Sequence, residues 1–375
     1  MSVVHSTSIG EMKSITLYEL LERSAESALE LQRDDGSFPS GRNYTYDEPS
    51  TPVRTTSHWA VTLSEVYEKT GKDKFREAAN ASVDYLLSDE VRPHGYTYHC
   101  RNAPGEDRCN GLIGQAHPIR ALVHAGLILN RQDAINTAEE VFIFHPFDEK
   151  LGLWEKVEID GKKLSFDRTL NHQILFAAGG SKLASESEVV DKRINTFLNC
   201  LSSNMSQHSD GLIKHYIRPS PIGAIKAVSR SVRHWPLLLN EVVFHYYSKS
   251  SERRTKEIGY QPVNFKGLAR LRMHFPRHEI WSNIDFQAHL RAYDADECSN
   301  VTYGSVIPGM SFALAEYAFC SDTNRIQSLI ETDLEKYLNT SNFMLESDVI
   351  CDANQSSTIS ILAELPDRKI SLTSV

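Results

Sequence analysis

Five times along the chain, a short strip of glycine and aromatic residues runs into a polar cluster of His, Asn, Arg or Trp that opens an apolar helix. The clearest copy is GLWEKVEIDGKKLSFDRTLNHQILFAA, residues 152–178. The others lie at 35–63, 94–122, 210–239 and 281–314. Between the strips, apolar residues recur at helical spacing and predict helices over 15–33, 58–70, 75–88, 111–129, 132–143, 169–183, 188–203, 232–248, 304–320 and 324–338. Lys69-Thr70-Gly71 stops one of these, and the Ser-Glu-Ser-Glu stretch at 185–188 caps the start of another. Lys156–Lys163 reads as a β-hairpin turning at Asp160-Gly161. Helices fall into antiparallel pairs whose first members recur every roughly 50–75 residues, too loose for a solenoid of tight repeats. Buried His and Asn are costly unless satisfied, so their repeated placement at helix starts implies one shared polar mouth. The expected fold is all-α: an (α/α)6-type toroid of helical hairpins, with short β-like strips in the connecting loops.

Length and composition refine this. The 375 residues, 41% apolar and 24% charged, match a globular chain with a sizeable core. Without an inter-domain linker, a single toroid domain over 1–375 is expected, with a basic irregular segment at 211–280 and a loosely ordered tail after about 340. No apolar run approaches a membrane span. The first residues lack a charged start followed by an apolar stretch, and six cysteines are scattered, so a cytoplasmic location with reduced thiols is expected. The net charge of −9 conceals a block: residues 211–278 hold thirteen Lys/Arg against three acids. Such a block suits phosphate, carboxylate or an acidic membrane surface, or is a solvated basic face. A nucleic-acid role is not expected from an acidic total without a binding motif.

The sharpest chemical candidate is FDRTLNHQ, residues 166–173. If Arg168 opens the helix, Asp167 sits at its cap, and His172 follows in the second turn beside Asn171. A carboxylate and an imidazole at one mouth are the parts for acid/base chemistry near neutral pH. The competing reading is a plain cap and a core histidine. In NGLIGQAHPIRAL (110–122), two glycines allow close approach and set Gln115 and His117 at a helix start, for a ligand or for tight packing. Aromatics beside the strips (Phe38, Trp59, Tyr96, Tyr98, Trp154, Trp235, Trp281) offer faces for sugar rings, or plug the barrel end. Arg54, Arg101, Arg230 and Arg233 carry the fork that suits carboxylate or phosphate, and His58, His99, His234 and Asp285 complete the candidate substrate-binding set. His99-Cys100, Cys109 and His117 do not match common zinc spacing, so a zinc-dependent, lanthionine-cyclase-like toroid is a minor alternative. No metal or other cofactor is expected.

NGLIGQAH, HPFDEKLGLWE and SFDRTLNHQILFAA together resemble helical-barrel proteins of prokaryotic glycan-assembly loci. These include a group from archaeal protein-glycosylation clusters that modifies a hexuronic acid. More distantly, the NHQ-bearing helix and Gly-Leu-Trp strip are similar to six-hairpin enzymes such as unsaturated glucuronyl hydrolases. The resemblance spans about residues 30–320, most distinctively 95–180. It implies a six-hairpin barrel acting on a uronic-acid-type sugar, with Asp167, Asn171, His172, Gln115 and His117 at the mouth; the arginines and the basic block would also suit a sugar phosphate or lipid-linked glycan. Departures at His117, Leu170 and Ile174-Leu175, where aromatics are usual, leave substrate identity open. The resulting expectation is a carbohydrate-active enzyme in surface-polysaccharide or glycoprotein glycan assembly. Asp167, His172 and His117 are its candidate acid/base groups, for epimerisation, isomerisation or glycoside cleavage. Arg101 or Arg233 would hold the carboxylate, and Asp35, Asp47 or Asp285 would partner Asp167 in hydrolysis. A non-catalytic glycan-binding scaffold, with peripheral membrane contact through 211–278, is the alternative class.

Overall fold

The computed structural model describes residues 13–43, 48–246, 251–292, 295–299, 307–347 and 350–372. Its helices are α1 (Leu17–Leu29), α2 (Val53–Thr70), α3 (Asp73–Leu87), α4 (Gly111–Leu129), α5 (Gln132–Phe144), α6 (Leu170–Gly179), α7 (Glu188–Asn204), α8 (Pro221–Arg230), α9 (Leu239–His245), α10 (Ser251–His274), α11 (Ile280–Asn283), α12 (Phe286–Arg291), α13 (Ala295–Ser299), α14 (Pro308–Phe319), α15 (Thr323–Tyr337) and α16 (Asp352–Leu362). Short strands lie between them: β1 (Lys13–Thr16), β2 (Arg42–Asn43), β3 (Glu48–Pro49), β4 (Phe147–Asp148), β5 (Leu153–Val157), β6 (Lys163–Phe166), β7 (Leu338–Asn339), β8 (Met344–Leu345) and β9 (Lys369–Leu372). They pair antiparallel as β1 with β9, β2 with β3, β4–β5–β6, and β7 with β8.

Six helices pack side by side in a closed ring, in the order α2, α4, α6, α10, α14, α16 and back to α2. The patterning explains which helices go inside. In α2 every residue from Thr55 to Val66 is buried. In α3 only one face is buried, through Phe75, Ala78, Ala79, Ser82, Val83, Tyr85 and Leu86. A helix buried all round belongs inside, and an amphipathic one covers it. Thus α3 lies against α2 and α4, α5 against α4, α15 against α14, and α1 against α2 and α16. This is the expected (α/α)6 toroid.

The helix boundaries shift in instructive places. The α2 helix begins five residues before the expected position, because Thr55, Thr56 and Ser57 are buried as apolar residues would be, with the Thr56 and Ser57 hydroxyls hydrogen-bonded. Ser57 Oγ donates to Val53 O at 2.6 Å, and Thr56 Oγ1 accepts from Phe38 N at 3.0 Å. Residues 232–238 form a 3₁₀ helix before α9, and Ser181–Ser185 forms another after α6. Ser187 caps α7 by accepting from Val190 N. The β5–β6 hairpin turns where expected, with Gly161 at φ 85°. Two expectations are corrected. Within 211–280, residues 251–274 form the inner helix α10, and the tail supplies the inner helix α16. Both line a polar axis, so neither shows the apolar period of a core helix. Part of the expected 304–320 helix lies outside the described residues.

Candidate active site

The mouth is organised where α4 and α6 begin. Asn110 and Gly111 both take left-handed backbone conformations, φ 54° and 57°, and α4 starts without a cap from its own side chain. Its free N–H groups are met by carboxylates from elsewhere: Asp107 Oδ1 accepts from Gly111 N at 3.0 Å, and Asp167 Oδ2 accepts from Leu112 N at 3.1 Å. A Cβ on Gly111 would lie 2.7 Å from that Asp167 oxygen, so glycine is required by both conformation and space. Asp167 Oδ1 accepts from Thr169 N at 3.1 Å. Asp167 therefore caps the neighbouring helix α4, whereas α6 itself begins at Leu170 behind Thr169.

His172 Nδ1 lies 2.9 Å from Asp167 Oδ2. An ionised carboxylate only accepts, so Nδ1 carries the proton and donates, leaving Nε2 of a neutral ring as the acceptor. Burial would raise the Asp167 carboxyl, but His172, Lys156 and the Leu112 N–H outweigh it and hold it well below the usual carboxylate range. The His172 side chain keeps 26% exposure against 6% for Asp167: the acid is sealed and the imidazole is presented. His215, its ring tilted against Tyr260 with centroids 5.0 Å apart, lies within electrostatic reach of both.

Deeper along the axis, side chains meet both across the ring and between neighbouring inner helices. Arg120 of α4 and Arg270 of α10 both donate to Glu364, just beyond α16, at 2.9 and 2.7 Å. Lys266 Nζ approaches Ser357 Oγ of α16 at 3.4 Å, and Arg54 Nη2 approaches Asn354 Oδ1 at 3.5 Å. His58 and His117 pack edge to face, centroids 4.8 Å apart. His58 Nε2 is buried with no hydrogen-bond partner among the described residues. Burial, followed by the surrounding cations, holds both imidazoles neutral, far below their ordinary range, and pushes the Lys266 ammonium down likewise. A further layer joins Glu65 to His124 (3.0 Å) and His124 to Lys182 (2.6 Å). The axis thus carries a surplus of positive charge around two neutral histidines.

No protein-family model matches the chain. It is 42% identical over 288 residues to archaeal glycosylation protein Q of Haloferax volcanii, covering 75% of this chain and 77% of that protein. The chain belongs to the archaeal glycosylation protein Q family. Its fold is also that of D-mannose isomerase (TM-score 0.63, 13% identity, 93% of this chain and 97% of the other). Cellobiose 2-epimerase from Bacillus thermoamylovorans is similar as well (TM-score 0.62, 11% identity, 92% and 98%). A glycoside hydrolase of the same architecture, the α-1,6-mannanase of Salegentibacter sp. HEL1_6, superposes at a TM-score of 0.52 with 12% identity, over 92% and 98% of the chains.

Of the residues expected at the site, this member of the family brings Asp167 and His172 together at the mouth, and Arg54, His58 and His117 at the axis. Asn171 is buried, and its Oδ1 has no hydrogen-bond partner among the described residues. The others are placed differently. Trp59 is in the core against Phe38, and Trp154 in an aromatic cluster with Phe142, Phe147, Phe176 and Phe197. Gln115 is a clamp: it accepts from Tyr98 N and donates to Tyr98 O and Cys109 O, fastening the preceding loop to α4. Arg101 is tied to Glu106 and Asp107, and Arg233 to Glu155, with His234 stacked on Phe166 at 4.5 Å. His99 hydrogen-bonds through its backbone, donating to Val91 O. Trp281 and Asp285 lie beyond the C-terminal end of α10, lining a surface pocket with Arg272 and Phe319, away from the mouth.

Of the carboxylate partners expected for hydrolysis, the two among the described residues are not placed beside Asp167. Asp35 is exposed in a turn, Asp285 caps α12 by accepting from Ala288 N, and Asp47 lies outside the described residues. Nor do His99, Cys100, Cys109 and His117 converge. Among the described residues no three His, Cys, Asp or Glu side chains gather as a metal would need. Lys266, Arg120, Arg270, Glu364, His215 and Tyr260 were missed as site residues. The signal for two of them was available: Lys266 and Arg270 recur with His274 at helical spacing, i, i+4, i+8, within the basic block.

Proposed function

We propose that the chain modifies an acidic sugar in surface-glycan or glycoprotein assembly, by proton transfer that epimerises or isomerises the sugar. The observation that carries this reading is the neutral His58–His117 pair ringed by Arg54, Arg120, Lys266 and Arg270, with Glu364 as the carboxylate that Arg120 and Arg270 share. Such a cluster suits an anion and keeps bases unprotonated beside it. Membership of a glycosylation-protein family supports the substrate class.

In this reading Arg54 and Lys266 take the sugar carboxylate, in place of the expected Arg101 or Arg233, because their own hydrogen bonds are long. His172 Nε2, its ring fixed by Asp167, removes a proton from carbon next to a carbonyl or carboxylate. The resulting enolate is stabilised by the cations. His172, which then holds the proton, returns it to the neighbouring carbon for isomerisation; for epimerisation a solvent proton passes by way of His117, backed by His58, to the opposite face of the same carbon, and the proton on His172 leaves to water. Hydrolysis is disfavoured, since Asp167, Glu364 and Glu65 are all engaged by hydrogen bonds or ion pairs. A lipid-linked or phosphorylated form of the sugar fits the same charge, and we place the activity in the cytoplasm.

The test is incubation with uronic-acid glycosides, nucleotide-activated uronic acids and lipid-linked uronic-acid glycans in deuterated water. Deuterium at a sugar carbon without bond cleavage is the expected result. A released sugar would replace the proposal with hydrolysis, and binding without exchange would favour a scaffold.

A further inference from the structure

Seven of the twelve large apolar side chains exposed among the described residues fall within residues 222–246. Ile222 and Ile225 stand on the outer face of α8, with Ala224 and Ala227 turned inward. Val232, Trp235 and Leu238 follow on the 3₁₀ helix, and Val242 on α9. Val232 is 78% exposed, Ile222 67% and Trp235 52%, the only tryptophan in the chain so open. Scattered apolar residues on a surface are ordinary, but a run of this density marks a face that something covers. Buried Ala224, Ala227, His234, Leu237 and Asn240 anchor the segment, so its outward residues are held out by the fold.

From this face and its charge, we propose that residues 221–243 dock the protein on an anionic lipid surface. Between residues 214 and 243 the chain carries Lys214, Arg218, Lys226, Arg230 and Arg233 against one acid, Glu241. Arg230 and Arg233 pair with Asp148 and Glu155, yet remain 53% and 41% exposed, and Lys226 is exposed between the two isoleucines and Arg230. Apolar side chains with interspersed cations, and a tryptophan among them, suit the boundary of an acidic bilayer. A second copy suits it poorly: a two-fold contact would set the same cations against each other.

The position of the face adds to the case. His234 stacks on Phe166, the residue before Asp167, and Asn240 Oδ1 accepts from Arg168 Nε at 2.6 Å. Docking there would hold the Asp167–His172 mouth at the lipid surface. The inference does not depend on the reaction proposed above.

The experiment is co-sedimentation of the full chain with vesicles of phosphatidylcholine alone or mixed with phosphatidylglycerol, with tryptophan emission read in parallel. The expected result is binding to the anionic vesicles, a blue shift from Trp235, and loss of binding as salt rises to about 1 M, where the screening length is about 3 Å. I225S/W235S and, separately, K226E should weaken binding at least tenfold at unchanged thermal midpoint, because these side chains are exposed. Failure to bind anionic vesicles, or binding indifferent to I225S/W235S, would overturn the proposal. So would a concentration-dependent dimer that the same pair of substitutions abolishes, which would assign the face to a second copy.

Discussion

Removing the Glu364 carboxylate is the most exposing perturbation of this axis. Its Oε1 accepts from Arg120 Nη2 at 2.9 Å and Arg270 Nη2 at 2.7 Å, and its Oε2 accepts from Arg270 Nε at 2.8 Å. The three side chains are only 14%, 11% and 9% exposed, so water cannot replace the lost partner. In Glu364→Gln two guanidinium groups stay buried with no anion between them, beside Lys266, and the amide N–H₂ points a donor at donors. Breaking a buried ion pair from one side costs about 3–5 kcal/mol, and that is the loss expected in urea unfolding. The double variant with Arg270→Met should recover part of it, because one of the stranded charges is gone; a coupling of about 0.5–3 kcal/mol is expected. The pH dependence has a definite sign. Burial would raise the Glu364 carboxyl, but Arg120 and Arg270 hold it far below the free value of 4.5. Its contribution is therefore complete above pH 4.5 and declines as pH falls toward the folded value. The gap between wild type and E364Q should narrow in acid. A loss below about 0.5 kcal/mol at pH 7, the range of an ordinary surface substitution, would refute the picture of a sealed, charge-rich axis.

Four further outcomes follow from the same geometry. Asp167→Asn should abolish turnover while acidic-sugar binding persists; equal loss of both, or of neither, would indicate a binding scaffold. Gly111→Ala combines a positive φ with a clash on Asp167 Oδ2 and should cost about 1–3 kcal/mol in thermal unfolding; an unchanged midpoint would contradict the cap described here. Lys266→Met should raise KM for an acidic sugar while stabilising the fold slightly, since it removes one cation from a repelling cluster; tighter substrate binding would sink its assignment to the carboxylate. Burial holds His58, His117 and His215 far below 6.5, and His124, His145 and His274 at about 4. Folded imidazoles stay neutral where unfolded ones protonate, so stability should be level above pH 6.5 and fall between 6.5 and 4; a flat denaturation profile over that window would exclude buried neutral histidines.

Much of the scaffold was legible without coordinates, because inner and outer helices write different patterns. The α4 and α14 runs are predominantly apolar, and α3, α7 and α15 are striped. The Asp160-Gly161 turn and the Ser187 cap depend on residues next to one another. Within the site, the pairing of Asp167 with His172 was readable because both sit on one strand-to-helix junction five residues apart.

What the chain alone could not disclose lies where distant segments meet. Gln115 and Trp154 look like binding residues in a linear reading, and only packing shows that one clamps a loop and the other fills a core. The basic segment around Lys266 and the serine-rich run before Ile359 lack an apolar period, so they read as irregular. They are inner helices whose polar side chains are satisfied across the axis, Arg270 by Glu364 and Lys266 beside Ser357. Local sequence thus determined the helices, their pairing and the Asp167–His172 dyad, since those follow from neighbours within a few residues. Closure of the ring decided the rest: which charges share a low-dielectric axis, which histidines stay neutral, and which apolar face is left outside. Burial and Coulomb energy depend on distances in space, and residues hundreds apart in the chain set them.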